Sequence, residues 1–84
     1  MDKYKVAIVD DDEVALENLS FELGKDARFF LKGTARNGKQ GKKLIAKVQP
    51  DLLFLDVELP DMTGMELLQE IRDSVSWNMR IVFY

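Results

Sequence analysis

The chain has 84 residues, a formal net charge of −3 at pH 7, and 46% hydrophobic and 32% charged residues. This length allows one small domain, and the composition is that of a folded globular protein rather than of a disordered tail. The sequence has no cysteine and no histidine, which excludes disulfides, thiolate or imidazole metal sites, and serine–histidine or cysteine–histidine catalysis. The slight negative charge gives no electrostatic reason to expect direct binding to nucleic acid or to an anionic membrane.

The first predicted element is a strand over residues 4–9, which contains the apolar run Val6-Ala7-Ile8-Val9. A short aliphatic run that ends abruptly on acids is typical of a buried parallel strand. The run is too short for the core of a signal peptide or for a membrane span, so we expect a cytoplasmic protein. A helix over residues 13–23 follows, and either Asp11 or Asp12 can cap it by accepting backbone N–H bonds.

A weaker strand and a lysine-rich helix occupy the middle of the chain. The strand covers residues 29–35, and we expect Phe29 and Phe30 at its start to belong to the core. The turn Asn37-Gly38 leads into a helix that extends to about Val48. Most lysines of this helix are expected to face water, namely Lys39, Lys42, Lys43 and Lys47.

The most apolar strand of the chain covers residues 51–56. A helix begins near Gly64, since Thr63 and Glu66 have the spacing of a capping box. A final strand covers residues 80–84. The order β-α-β-α-β-α-β predicts an α/β fold with a parallel sheet and right-handed crossovers.

Aspartates follow the two most apolar strands at the points where these strands end. Asp10, Asp11 and Asp12 follow the first strand, and Asp56 ends the third. The carboxyl ends of parallel strands form the ligand crevice of an open α/β sheet, so these carboxylates are expected to converge. Crowded carboxylates repel one another and need a cation, protons or a reaction. Their hard oxygen atoms suit Mg²⁺, and an aspartate beside such an ion can attack a phosphoryl donor.

We therefore interpret Asp56 as a nucleophile toward a phosphoryl group. Asp10 and Asp11 would hold Mg²⁺ beside Asp56, directly or through water, and the backbone carbonyl of Glu58 could complete the shell. The simpler alternative is that these acids are only helix caps and solubilising residues, and for Asp12 we favour the role of a cap.

Two segments, Val6–Asp12 and Pro50–Leu68, resemble the receiver domain of two-component response regulators. The similarity combines an acidic doublet after the first strand with an aspartate ending the third, a proline four residues later and a glycine eight residues later. It covers residues 4–84 and implies a doubly wound, flavodoxin-like parallel sheet of order 2-1-3-4. The stretch Leu55–Pro60 is similar to regulators with a LytTR-type DNA-binding domain, which implies a role in transcription regulation.

The resemblance implies that a sensor histidine kinase donates its phosphoryl group to Asp56, with Mg²⁺ bound by Asp10, Asp11 and the backbone carbonyl of Glu58. No enzyme activity beyond this self-phosphorylation is expected. Receivers have five strands, whereas this chain stops at the fourth, without the hydroxyl residue that follows it and the lysine of the fifth. We therefore expect residues 1–84 to be a truncated receiver domain that takes up Mg²⁺ or a phosphoryl group weakly and whose switch is impaired.

Three alternatives remain open. Residues 81–84 would form an exposed apolar edge, so the chain could be a non-signalling assembly piece that pairs edges or exchanges elements in a homo-oligomer. The segment Gly33–Gln40 nearly matches a P-loop, but Gln40 stands where a Ser or Thr would bind Mg²⁺. The segment Asp56-Val57-Glu58 is similar to the Asp-x-Asp motif of aspartate-nucleophile phosphatases, although it follows the third strand rather than the first.

Overall fold

Four parallel strands form one sheet in the computed structural model, which describes residues 3–84. The strands are β1 (Tyr4–Val9), β2 (Phe29–Ala35), β3 (Leu52–Leu55) and β4 (Arg80–Phe83). The helices are α1 (Glu13–Gly24), α2 (Gly38–Val48) and α3 (Gly64–Ile71). The sheet order is β2-β1-β3-β4, and every neighbouring pair is parallel. The predicted flavodoxin-like α/β fold with strand order 2-1-3-4 is therefore confirmed.

The helices begin where side chains cap them. The carboxylate of Asp12 accepts the backbone N–H of Val14 at 3.0 Å, which decides between Asp11 and Asp12 as the cap of α1. At α3, the hydroxyl of Thr63 accepts the N–H of Glu66 at 3.1 Å, and the carboxylate of Glu66 accepts the N–H of Thr63 at 3.0 Å. The predicted capping box is therefore present. Among residues 3–84, no helix combines the length and the apolar content needed to cross a membrane.

One hydrophobic cluster joins the sheet to α2 and α3, and a second joins it to α1. The buried residues of the first cluster are Ala7, Val9, Ala35, Ile45, Leu53, Leu55, Leu67 and Ile71. The buried residues of the second cluster are Val6, Ile8, Leu16 and Leu23. Each fully buried aliphatic side chain contributes roughly 1.5–3 kcal/mol to folding. Half of these buried residues lie on β1 and β3, so the loops after these two strands start from the most firmly held part of the sheet.

Both edge strands expose apolar side chains. Phe30 on β2 is 49% exposed, so the prediction that it belongs to the core is wrong, whereas Phe29 packs against the α1 cluster. Neighbouring strand residues point to opposite faces, and the ring of Phe30 lies near the ammonium of Lys32 instead of in the core. At the other edge, residues 81–84 are between 37% and 43% exposed. The predicted exposed apolar edge at β4 is therefore observed.

Candidate functional site

Three aspartate side chains meet at the carboxyl ends of β1 and β3. One carboxylate oxygen of each of Asp10, Asp11 and Asp56 lies within 4.8 Å of the others. The cause is the parallel pairing of the two strands, in which Val9 lies opposite Leu55. The residues after these partners leave the sheet side by side, so the convergence predicted from the sequence is observed.

Asp10 is the buried member of this cluster, with 2% of its surface exposed. Its Oδ1 accepts the backbone N–H of Asp12 at 2.9 Å, and its Oδ2 accepts the hydroxyl of Tyr84 at 2.7 Å. A buried carboxylate needs such donors, since burial of an unpaired charge costs several kcal/mol. These two bonds, one to each oxygen, hold the Asp10 carboxylate next to Asp56.

Asp56 is half-buried beside two like charges. Burial raises the pKa of the Asp56 carboxyl, and the neighbouring Asp10 and Asp11 raise it further. The backbone N–H of Glu58 acts in the opposite direction, because it donates to Oδ1 of Asp56 at 3.2 Å and favours the ionised form. A cation among the three carboxylates would also favour their ionised forms and would remove the repulsion between them.

The donor set fits a hard divalent cation. Carboxylate oxygens are the protein ligands that Mg²⁺ prefers, and it completes its shell with water and phosphate oxygens. Asp10 is buried, Asp56 is half-buried and Asp11 is exposed, so the cluster opens to solvent on the side of Asp11. Glu58 contacts the cluster through its N–H, and its backbone carbonyl as a metal ligand stays a prediction.

A fourth acid, Asp61, ties the loop after β3 to the start of α2. Its carboxylate accepts the backbone N–H of Gly38 at 2.7 Å and that of Lys39 at 3.0 Å. The side chain of Asn37 accepts the N–H of Gln40 at 2.8 Å, so side chains of the protein satisfy three donors of the first turn. A P-loop would use such N–H groups for phosphates, so this arrangement disfavours the P-loop alternative.

We expect Asp61→Asn to lower the stability of the protein at neutral pH. The N–H groups of Gly38 and Lys39 hold the pKa of Asp61 below its usual value. The ionised carboxylate therefore stabilises the folded state at neutral pH, and this contribution disappears as the pH falls through the lowered pKa. Urea denaturation at pH 7 and at about pH 3 checks the prediction, because the difference between variant and wild type should shrink in acid. Equal stability at pH 7 would contradict it, and Asp73→Asn, at an exposed position, is the control.

The first residue of α3 packs directly on the backbone of the loop that carries Asp56. The N–H of Gly64 donates to the carbonyl of Val57 at 2.7 Å. A Cβ atom added at Gly64 would lie 2.5 Å from the carbonyl oxygen of Asp56, closer than side chains tolerate. The glycine eight residues after Asp56 is therefore explained by this close approach of two backbone segments.

Tyr84 joins the site although the apolar pattern predicts it only as a strand residue. It lies directly after β4, and its hydroxyl reaches Asp10 across the neighbouring strand β3. Burial raises the pKa of Tyr84, and the hydrogen bond to Asp10 raises it further, so the hydroxyl is a protonated donor at neutral pH. One feature of the sequence could have indicated this role: Tyr84 lies at the end of a predicted strand, and therefore at the same edge of the sheet as Asp56.

The sequence profile of the response-regulator receiver domain matches residues 6–84. The chain belongs to the response-regulator receiver family. This confirms the resemblance that the acidic doublet, Asp56, Pro60 and Gly64 predict. In this chain the strands are parallel and the three acids lie at the carboxyl ends of β1 and β3.

Curated relatives of different kinds share the receiver sequence. A protein-glutamate methylesterase/protein-glutamine glutaminase of Geobacillus kaustophilus is 42% identical over 71 residues, which are 84% of this chain and 20% of that protein. The probable C4-dicarboxylate response regulator DctR of Bacillus subtilis is 41% identical over 75 residues, which are 83% of this chain and 31% of that protein. The chain thus spans about a fifth to a third of the length of these relatives.

Solved receiver domains have the same fold. The signal receiver domain of the putative response regulator NarL from Mycobacterium tuberculosis has a TM-score of 0.88 at 25% identity, over 99% of this chain and 66% of that chain. The response regulator domain of Thermotoga maritima CheB has a TM-score of 0.87 at 22% identity, over 96% of this chain and 59% of that chain.

Proposed function

We propose that the chain is the phospho-accepting receiver module of a two-component signal-transduction system in the cytoplasm. A sensor histidine kinase would donate the phosphoryl group to Asp56, and Mg²⁺ would be held by Asp10, Asp11, Asp56 and the backbone carbonyl of Glu58. The observation that carries this proposal is the meeting of three carboxylates at the ends of β1 and β3 in a chain of the receiver family. Beyond its own phosphorylation, the chain is proposed to have no enzyme activity.

Asp56 is the proposed nucleophile because it is the member of the cluster that directly follows β3 and that remains partly open to solvent. One of its carboxylate oxygens attacks the phosphorus of a phosphohistidine, the P–N bond breaks as the P–O bond forms, and the departing imidazole nitrogen takes up a proton. Bound Mg²⁺ supplies positive charge that neutralises the phosphoryl oxygens. The N–H of Glu58 holds Asp56 in place, and Asp12 and Tyr84 hold Asp10.

Incubation with Mg²⁺ and acetyl phosphate, followed by mass spectrometry of the intact protein, tests this function. We expect the wild type to gain the mass of one phosphoryl group and Asp56→Asn to gain none, because the nucleophilic oxygen is replaced. Removal of Mg²⁺ with a chelator is expected to suppress the gain. Asp73→Asn lies outside the cluster and is expected to behave like the wild type. A wild-type protein that is folded and gains no mass would contradict phospho-acceptance.

The family favours signalling over the alternative of a non-signalling assembly piece. Homo-oligomer formation through the exposed edge of β4 stays a prediction, as does a LytTR-type output domain. The phosphatase alternative is disfavoured by geometry, because the side chain of its second acid, Glu58, is not part of the carboxylate cluster found among residues 3–84.

A further inference from the structure

Tyr84 places a hydroxyl group against a carboxylate that is proposed to bind the cation. The donor and acceptor oxygens of the Tyr84–Asp10 bond are 2.7 Å apart, and the two residues are 74 positions apart in the chain. The ring of Tyr84 packs edge-on against the ring of Phe54, with 6.4 Å between their centroids. Its backbone is held as well, since its N–H donates to the carbonyl of Leu55 at 3.2 Å and its carbonyl accepts from Val57 at 3.4 Å. The hydroxyl is therefore fixed in position by β3.

Within residues 3–84, each of the two carboxylate oxygens of Asp10 has one donor. The N–H of Asp12 serves Oδ1, and the hydroxyl of Tyr84 serves Oδ2. With Asp10 only 2% exposed, water has little access to replace a lost donor. Without the hydroxyl, the carboxylate could turn about its Cβ–Cγ bond, driven by the negative charges of Asp11 and Asp56 beside it. A single N–H at Oδ1 would not prevent this rotation.

We propose that Tyr84 is a positioning residue for the divalent-cation site, whose hydroxyl holds the Asp10 carboxylate in the orientation that binds Mg²⁺. This inference rests on the proposed function of the site. Groups that hydrogen-bond to metal ligands orient them, and their removal typically weakens metal binding by about 10- to 100-fold. Tyr84 is not proposed as a ligand itself, because its hydroxyl donates to Asp10 and acts through that carboxylate.

Titration calorimetry with MgCl₂ on the wild type and on Tyr84→Phe tests the proposal. The variant keeps the ring and its contact with Phe54, and it loses only the donor. We expect Mg²⁺ to bind to Tyr84→Phe about tenfold more weakly or worse. Tyr4→Phe is the matched control, since Tyr4 begins β1 at the opposite end of the sheet and is 48% exposed. Its Mg²⁺ affinity is expected to equal that of the wild type.

The rate of phosphoryl uptake from acetyl phosphate provides a second readout. In Tyr84→Phe the Mg²⁺ concentration for half-maximal rate should rise about tenfold, whereas the rate at saturating Mg²⁺ should stay close to the wild-type rate. We expect the Mg²⁺ requirement to change without the saturated rate because the nucleophile Asp56 itself is unchanged. A merely structural role would instead lower the maximal rate and leave the Mg²⁺ requirement unchanged.

Several results would overturn the positioning role. An unchanged Mg²⁺ affinity in Tyr84→Phe would show that Asp12 alone orients Asp10, and a tighter affinity would show that the hydroxyl competes with the cation. A Tyr84→Phe variant that no longer unfolds cooperatively in urea would assign the hydroxyl to stability. In each of these cases a wild type that binds Mg²⁺ and takes up the phosphoryl group keeps the proposed function intact. A wild type that binds no Mg²⁺ would contradict both the positioning role of Tyr84 and the proposed function.

Discussion

Replacement of Gly64 by alanine is expected to destabilise the protein by about 1–3 kcal/mol and to displace the loop that carries Asp56. The added methyl group would lie 2.5 Å from the carbonyl oxygen of Asp56, and within 3.2 Å of the side chains of Leu55 and Phe83. Side chains can rotate away from such a contact, but a backbone oxygen cannot. Either α3 or the loop after β3 must therefore move. Urea denaturation measures the loss of stability, and uptake of a phosphoryl group from acetyl phosphate measures the displacement of Asp56.

Gly24→Ala is the matched control for this substitution. Gly24 is the last residue of α1, and among the described residues no atom beyond its chain neighbours and the adjacent backbone of its own helix lies within 4 Å of the place where its Cβ would be. Its φ is not positive, so alanine can adopt the same backbone conformation. We expect a neutral to slightly stabilising effect, up to about 1 kcal/mol, because alanine restricts the unfolded chain. If Gly64→Ala were as harmless as Gly24→Ala, the close approach of α3 to Asp56 would be disproved.

Asp56→Asn is expected to stabilise the Mg²⁺-free protein by about 1–3 kcal/mol at pH 7. Asparagine keeps the shape of the side chain and removes a charge that burial and the neighbours Asp10 and Asp11 disfavour. Two unit charges 4 Å apart repel by about 1 kcal/mol in water and by about 4 kcal/mol at an effective dielectric constant of 20. The separation of up to 4.8 Å and the half-buried position of Asp56 place the effect between these limits. The midpoint of urea unfolding measures it.

A lower pH and bound Mg²⁺ should each reduce the difference in stability between Asp56→Asn and the wild type. The pKa of Asp56 is raised in the folded state, so proton uptake stabilises the folded wild type as the pH falls, whereas asparagine takes up no proton. Mg²⁺ at about 100 times its dissociation constant would stabilise the wild type by about 2.7 kcal/mol, and the variant by less, because one ligand is lost. Asp73→Asn should show neither effect. An Asp56→Asn variant that is less stable than the wild type without Mg²⁺ would contradict the repulsion argument.

Local chemistry explains why most of the fold is predictable from the sequence. The strand β1 is predicted to the residue, and the aspartates that follow its apolar run mark its end. The capping box of Thr63 and Glu66 likewise predicts that α3 starts at Gly64. Both patterns depend on neighbours within a few positions of the chain. The convergence of Asp10 with Asp56 also follows, since a parallel sheet brings the ends of adjacent strands together.

The remaining features depend on contacts between distant parts of the chain. Nothing near Asp61 in the sequence indicates that its carboxylate reaches the start of α2, and the hydroxyl of Tyr84 likewise finds Asp10 only after the sheet is assembled. The exposure of Phe30 also depends on distant parts of the chain. A strand residue is buried only where a helix covers it. The apolar pattern of the strand does not show where the helices stop covering the sheet. Such features follow from tertiary packing rather than from periodicity.

The long separation between Asp10 and Tyr84 has a consequence for a partly folded chain. A contact between residues 74 positions apart closes almost the whole chain into a loop, which costs conformational entropy that only the assembled sheet offsets. The carboxylate cluster itself requires β1 and β3 to pair, so an incompletely folded chain has an isolated Asp56 in place of a crowded one. Under the proposed function, Mg²⁺ would therefore bind only to molecules in which β1 and β3 have paired.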